Sequence, residues 1–479
     1  MTRSRYDAIV VGSGPNGLAA AVTLAQAGKS VLVREAMPTP GGGTRTEELT
    51  LPGFKHDVCS AAHPLGAASP YFRSLPLAAH GLQWIRGPHE VAHPLENGES
   101  VTISRSLEET AARLGEDERA YLSLYGPIAR HWDDLGSGIL GPMIHLPKRP
   151  VKMALFGLKA LRPAASLARA KFRTEKGRAL FAGIAAHSST PLEWHTSAAI
   201  GIVLGALAHV EGWPVARGGS RAISDALISY LKSLGGELEV GSPVTSLREL
   251  PESRHVLFDL PPRLVARIAG DELPESYRRK LERFKPGPGV FKLDWALDGP
   301  IPWSSPEVAK SPTVHLGGTL EEISLSERGL LEGRAPEKPY VLLTQASLFD
   351  PTRAPAGKHT AWAYCHVPNG WTEDMTARIE AQIERYAPGF GKRVLARSKL
   401  APKDLEARNP NLLGGDITGG MVNLAQVLAR PSLSLSPYRT PNERIFICSS
   451  STPPGPAVHG MCGHRAAVAV LAARKKQNK

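Results

Sequence analysis

Residues 7–36 read DAIVVGSGPNGLAAAVTLAQAGKSVLVREA: a strand, a glycine-rich turn, a helix, and a second strand that closes on an acid. Residues 8–11 are apolar enough for a central parallel strand. Gly12, Gly14 and Gly17 fall at GxGxxG spacing. The first glycine permits the tight turn, the second lets a pyrophosphate approach the backbone, and the third lets the helix pack close to the strand. Pro15 and Asn16 complete the turn and open a helix whose N-terminus presents about half a positive charge to a phosphate. Glu35 stands where an acid accepts hydrogen bonds from the ribose hydroxyls and would repel a 2'-phosphate, which disfavours NADP. Strand, spacing, helix length and terminal acid agree on a Rossmann-type dinucleotide-binding unit.

At 479 residues the chain exceeds the roughly 250–300 at which one hydrophobic core stops growing, so two domains are expected. Hydrophobic residues at 42% and charged residues at 21% match globular proteins and argue against a disordered or fibrous chain. The opening residues lack the apolar core of a secretory signal. The longest apolar run, 198–208, falls short of the roughly 20 residues that span a bilayer. The chain therefore reads as cytoplasmic. Cys59, Cys365, Cys448 and Cys462 show neither CxxC pairing nor metal-ligand spacing, which predicts free thiols and no metal.

Helix-favouring segments dominate residues 105–235. Strand signals return at GELEVGSPVTSL (236–247) and HVLFDLPP (255–262), then at VFKLDWAL (290–297) and YVLLTQASLF (340–349), where partial alternation fits an antiparallel sheet packed on one face. RIFICSS (444–450) reads as a buried strand, followed by a Pro/Gly turn, a last helix from about 461 to 473 and a basic tail expected to fray. Nucleotide-type elements thus occur at the start, middle and end. The expected fold is α/β, a Rossmann-type domain of 1–75, 212–288 and 430–479 interleaved with a mixed-sheet and helical substrate domain of 76–211 and 289–429.

After Glu35 comes PGGGTRTEELTLPGFKHD (40–57). Here the chain resembles the FAD-dependent oxidoreductases of the phytoene desaturase type, in the carotenoid desaturase and isomerase branch of the flavin amine oxidase superfamily. The matching residues are Gly41, Gly42, Arg45, Pro52, Gly53, Phe54 and Asp57. WPVARGGSRAISDALISYLKSLGGELEVGSPVTSL (213–247) looks like the group's second signature, and FICSSSTPPGPAVHGMCGHRAAVAV (446–470) is similar to its C-terminal flavin motif. The resemblance implies bound FAD, with Val244 contacting the adenine through its backbone and with Gly455, His459, Gly460 and Met461 at the flavin. Gly455, Gly460 and Met461 would bring backbone N–H groups and a helix N-terminus to an anionic flavin edge. Two departures stand out: Gly43 and Thr44 separate the glycine pair from Arg45, and Ser449, Ser450 and Ser451 replace a Gly-Asp pair.

Neither GPGVFK (287–292) nor GGDITGGM (414–421) makes a second nucleotide unit, so oxygen, a quinone or a transient partner is expected as electron acceptor. The C-terminal motif lacks the aromatic that many amine oxidases carry, which favours dehydrogenation, isomerisation or saturation of an apolar, polyene or lipid-like substrate by hydride transfer at flavin N5. An amine oxidase is the competing enzyme class, and a flavin-stabilised interaction protein without turnover is the non-enzymatic one. His63 and His459 are candidate proton-transfer groups able to titrate near neutrality, while Trp194, His195 and Trp213 are candidates to line the substrate cavity. The net charge of +12 concentrates at 148–178, where ten basic residues face a single acid, Glu175. That helical region reads either as a solvated face over a lid or as a peripheral docking surface for an anionic membrane. No nucleic-acid-binding motif accompanies the charge.

Overall fold

The computed structural model describes residues 5–142 and 146–477. Strands Arg5–Val11 (β1), Val31–Arg34 (β2), Glu237–Glu239 (β3), Glu252–Phe258 (β4) and Ile445–Ile447 (β5) form one parallel sheet in the order β5-β4-β1-β2-β3. It is apolar on both sides, as parallel sheets are when helices cover them. Ile9, Val11, Val256, Phe258, Ile445 and Ile447 make one face. Ala8, Val10, Val31, Val33, Leu257 and Phe446 make the other.

Against that second face lie helix α1 (Pro15–Gln26) and the C-terminal helix Met461–Gln477. The two pack so closely that a Cβ on Gly463 would run into the Asn16 carbonyl. Small residues at Ala19, Ala20, Ala466 and Ala467, all buried, permit the approach. The two ends of the described chain therefore meet. The last helix continues four residues past the expected end, to Gln477. Asn478 and Lys479, the end of the basic tail expected to fray, lie outside the described residues.

The second sheet has seven strands in the spatial order Val394–Leu400, Gly289–Leu297, His359–Val367, Val341–Thr344, Thr313–Leu316, Val91–Pro94, Ser100–Ile103. All its pairings are antiparallel except that of Thr313–Leu316 with Val91–Pro94. The expectation of a sheet packed on one face fails here, because Gly289–Leu297 is buried at every position. Phe291, Leu293, Trp295 and Leu297 pack on Ile379 and Ile383 of helix Thr376–Tyr386. Their alternates face the other way, where Val290 joins Leu342, Trp362 and Tyr364. Lys292 and Asp294 share that second face, paired to each other, and Asp294 lies 3.5 Å from His56. The long helical segment, including α2 (Pro150–Ala160) and α3 (Ser197–Val210), closes the molecule over it. Two strand expectations shorten: GELEVGSPVTSL is extended only over Glu237–Glu239, and YVLLTQASLF ends as a strand at Thr344.

Candidate functional site

The glycine turn has the geometry its spacing predicts. Gly12 takes φ +104°, and a Cβ on Gly14 would lie 2.6 Å from Asp259 Oδ2. A Cβ on Gly17 would collide with the Gly12 carbonyl. Glu35 at the end of β2 is buried. Its Oε2 accepts from the Ser13 N–H at 2.9 Å and the Ser13 hydroxyl at 2.6 Å, and its Oε1 accepts from the Met37 N–H at 2.9 Å. Arg45 sits behind it, 3.5 Å from Oε1, donating also to the carbonyls of Thr39 and Arg408. The two-residue displacement noted in the sequence thus turns Arg45 into a support for Glu35. Val244 is half-buried beside Leu247 and Leu250, two residues beyond Ser242, whose N–H donates to the Glu35 carbonyl at 2.8 Å.

A cavity of about 280 Å³ opens at this turn. Gly14, Pro15, Asn16 and Gly42 line its nucleotide end, and the Asn16 side-chain oxygen there has no partner. Gly12, Gly17, Glu35, Gly41, Arg45 and Val244 do not line the cavity. Pro456, Ala457 and Val458 border the cavity, whereas Gly455, His459, Gly460 and Met461 do not. The Met461 N–H, expected to face an anionic edge, is taken by His459 Nδ1 at 3.0 Å. Ser449 and Ser451 bond each other at 2.6 Å, and only Ser450 of the serine run reaches the cavity.

The far end is apolar: Ile200 and Leu204 from α3, with Trp213, Leu342, Trp362 and Tyr364. Trp213 borders the cavity while itself packed in the core. Trp194 does not, and His195 lies at the surface, bonded to the Leu161 carbonyl. His63 and His459 do not titrate near neutrality, since burial lowers each to about 4. His63 Nε2 instead contacts the Ser220 hydroxyl at 2.8 Å.

The sequence reading passed over His187, which reaches the cavity. Burial lowers it to about 3, and its Nε2 lies 2.9 Å from His315 Nε2. His315 Nδ1 is buried without a partner. With both rings neutral, one of the two Nε2 atoms donates and the other accepts.

Three more groups were missed. Asp259, just past β4, is buried, accepts from the Gly17 N–H at 2.9 Å and lines the nucleotide end. Burial first, and then the charge of Glu35, push its carboxyl up to about 7 despite that hydrogen bond. Asp416, inside GGDITGGM, accepts from the N–H groups of Gly287 and Gly420 and from Thr418, shaping a loop whose Thr418 and Gly419 reach the cavity. Arg430 donates to the carbonyls of Thr418, Gly419 and Ser450, which clamps that loop to the C-terminal turn. Asp57, matched in the PGF element, is structural: it pairs with buried Arg353 at 3.0 Å, which also binds Asp350.

A model of the NAD(P)-binding Rossmann-like domain matches residues 10–75. The chain is similar to pyridine nucleotide-disulfide oxidoreductase domain-containing protein 2 of Mus musculus, 28% identical over 98% of this chain and 94% of that protein. Chloroplastic prolycopene isomerase of Arabidopsis thaliana is 32% identical across 28% of this chain and 24% of its own length. A putrescine oxidase double mutant, redesigned for cofactor binding, shares the fold with a TM-score of 0.64, at 19% identity, covering 98% of this chain and 99% of its own. Among the described residues no helix is long and apolar enough to cross a membrane, and no cluster of three His, Cys, Asp or Glu residues could hold a metal.

Proposed function

We propose that the protein is an FAD-dependent oxidoreductase acting on an apolar, polyene or lipid-like substrate, by dehydrogenation, isomerisation or saturation. One observation carries this reading: a single cavity joins the glycine cradle at Gly14, Asn16 and Gly42 to a wall of Ile200, Leu204, Trp213, Leu342, Trp362 and Tyr364. The cradle suits a dinucleotide, since side chains are excluded at Gly12, Gly14 and Gly17 and the Asn16 oxygen is left open to a ligand donor. FAD held there would supply a hydride acceptor. The chain's own residues orient the substrate and keep water out: Leu342, Trp362 and Tyr364 form the floor and Trp213 one side. Among the described residues no carboxylate lines the apolar end, which disfavours a cationic amine there. His187 adds an imidazole to that wall.

Extraction of the purified protein is expected to release FAD, and anaerobic bleaching of the flavin is expected with polyene or other lipid-like compounds but not with amines. Bleaching by amines alone would make it an amine oxidase. Colourless protein that fails to reconstitute with FAD would end the proposal.

A further inference from the structure

Helix α2 turns its apolar residues outward. Val151, Leu155 and Leu158, at i, i+4 and i+7 and so in line on one face, are 71%, 57% and 69% exposed. Leu161, just past the helix, is 48% exposed, and Leu146, before it, 95%. The opposite side of the helix rests on α3, with Ala160 buried. A single exposed leucine is ordinary, but a continuous stripe of them calls for a contact.

The charges around the stripe say which kind. Lys152 and Lys159 each follow a stripe residue by one position, so they project about 100° round the helix and border the stripe along one edge. Lys148 and Arg162 extend that border beyond the two ends. Arg149 is held by Asp134 at 3.0 Å and Lys159 by the Ser123 carbonyl at 3.1 Å. Among the described residues Lys148, Lys152 and Arg162 enter no ion pair. Residues 148–174 contain no acid at all. An apolar ridge edged by unpaired cations matches the boundary of an anionic leaflet, where leucines enter the acyl region and lysines reach back to headgroups.

We propose that α2 is a docking helix for an anionic lipid surface, with Val151, Leu155 and Leu158 inserted and Lys148, Lys152, Lys159 and Arg162 at the headgroups. The position of α3 gives the docking a use. Ile200 and Leu204 of α3 line the cavity while α3 itself carries α2, so the docked face lies one helix layer from the apolar wall. This surface stands independently of which cofactor or substrate the cavity holds.

The test is sedimentation of the full chain with phosphatidylcholine vesicles, with and without roughly 30 mol% phosphatidylglycerol, at low and high salt. Binding is expected only to the anionic vesicles and is expected to weaken with salt. Lys148→Gln and Lys152→Gln are each expected to lower affinity about fivefold. The pair Leu155→Asn and Leu158→Asn is expected to abolish binding even at low salt while melting temperature and cavity-bound cofactor stay as in the wild type, because both leucines are exposed. The proposal is overturned if the wild type shows no preference for anionic vesicles, or if the leucine pair binds as the wild type does. Light scattering that shows a dimer dissolved by the leucine pair would overturn it too, assigning the stripe to a second copy of the chain.

Discussion

Replacing Asp259 by asparagine is expected to stabilise the protein at alkaline pH and to flatten the pH dependence of flavin binding. Asp259 Oδ2 lies 2.9 Å from the Gly17 amide at the first turn of α1, and the residue is 5% exposed. Its carboxyl is pushed up to about 7, against about 3.9 in an unfolded chain. Between those values the folded protein holds a proton that the unfolded chain has released. The Asp259 contribution to stability is therefore fully present below pH 4 and is lost as pH rises to about 7, by about 4 kcal/mol for a shift of about three units. Asparagine keeps an oxygen for the Gly17 N–H and cannot ionise. Denaturant unfolding of flavin-free wild type and Asp259→Asn is expected to give a difference that widens in favour of the variant by about that amount from pH 4 to pH 8.

Flavin binding follows the same sign. A diphosphate drawn to this helix N-terminus adds negative charge beside Asp259 and Glu35, so the complex retains the Asp259 proton to higher pH than the free protein does. Titration of the apoprotein is expected to show wild-type affinity for FAD falling up to tenfold per pH unit above about 7, and Asp259→Asn holding level. Parallel pH profiles for the two proteins, in unfolding and in FAD titration, would refute the reasoning.

Glu35→Gln is expected to lose FAD on gel filtration, because it weakens the acceptor shared by Ser13, Met37 and Arg45 as well as the ribose contact; retention equal to the wild type would place the ribose elsewhere. Arg353→Met leaves Asp57 and Asp350 buried without their partner and is expected to cost about 3–5 kcal/mol, read as a lowered denaturant midpoint. Gly463→Ala drives a Cβ into the Asn16 carbonyl and is expected to lower the melting temperature and weaken flavin retention together, since the same contact sets the cradle.

The nucleotide end was legible because its chemistry is local. A tight turn and a close backbone approach can be met only by glycine, so Gly12, Gly14 and Gly17 announce themselves, and Glu35 follows at a distance fixed by one helix and one strand. Asp259, Asp416 and Arg430 carry no such mark. Each acts on segments that the chain brings close only through tertiary structure: Asp259 on Gly17, Asp416 on Gly287, Arg430 on Ser450. Asp416 shows the same letters put to another use. The glycines around it, which make no nucleotide unit, serve a loop folded around the acid, with Gly414, Gly415, Gly419 and Gly420 all at positive φ.

The alternation in VFKLDWAL failed for a related reason. Period two predicts one dry and one wet face, but a charged pair can be buried when its members satisfy each other, as Lys292 and Asp294 do. The face read as wet is the floor beneath the cavity. Stripe residues on α2 invert the case, apolar side chains left outside because no protein element covers them. What separates the ends of the cavity is how much each demands of its residues: the cradle tolerates only glycine, while the wall accepts any large apolar side chain. On the function proposed above, cofactor class would be written in the cradle's glycines, and substrate choice would reside in the shape that Leu342, Trp362 and Tyr364 leave between them.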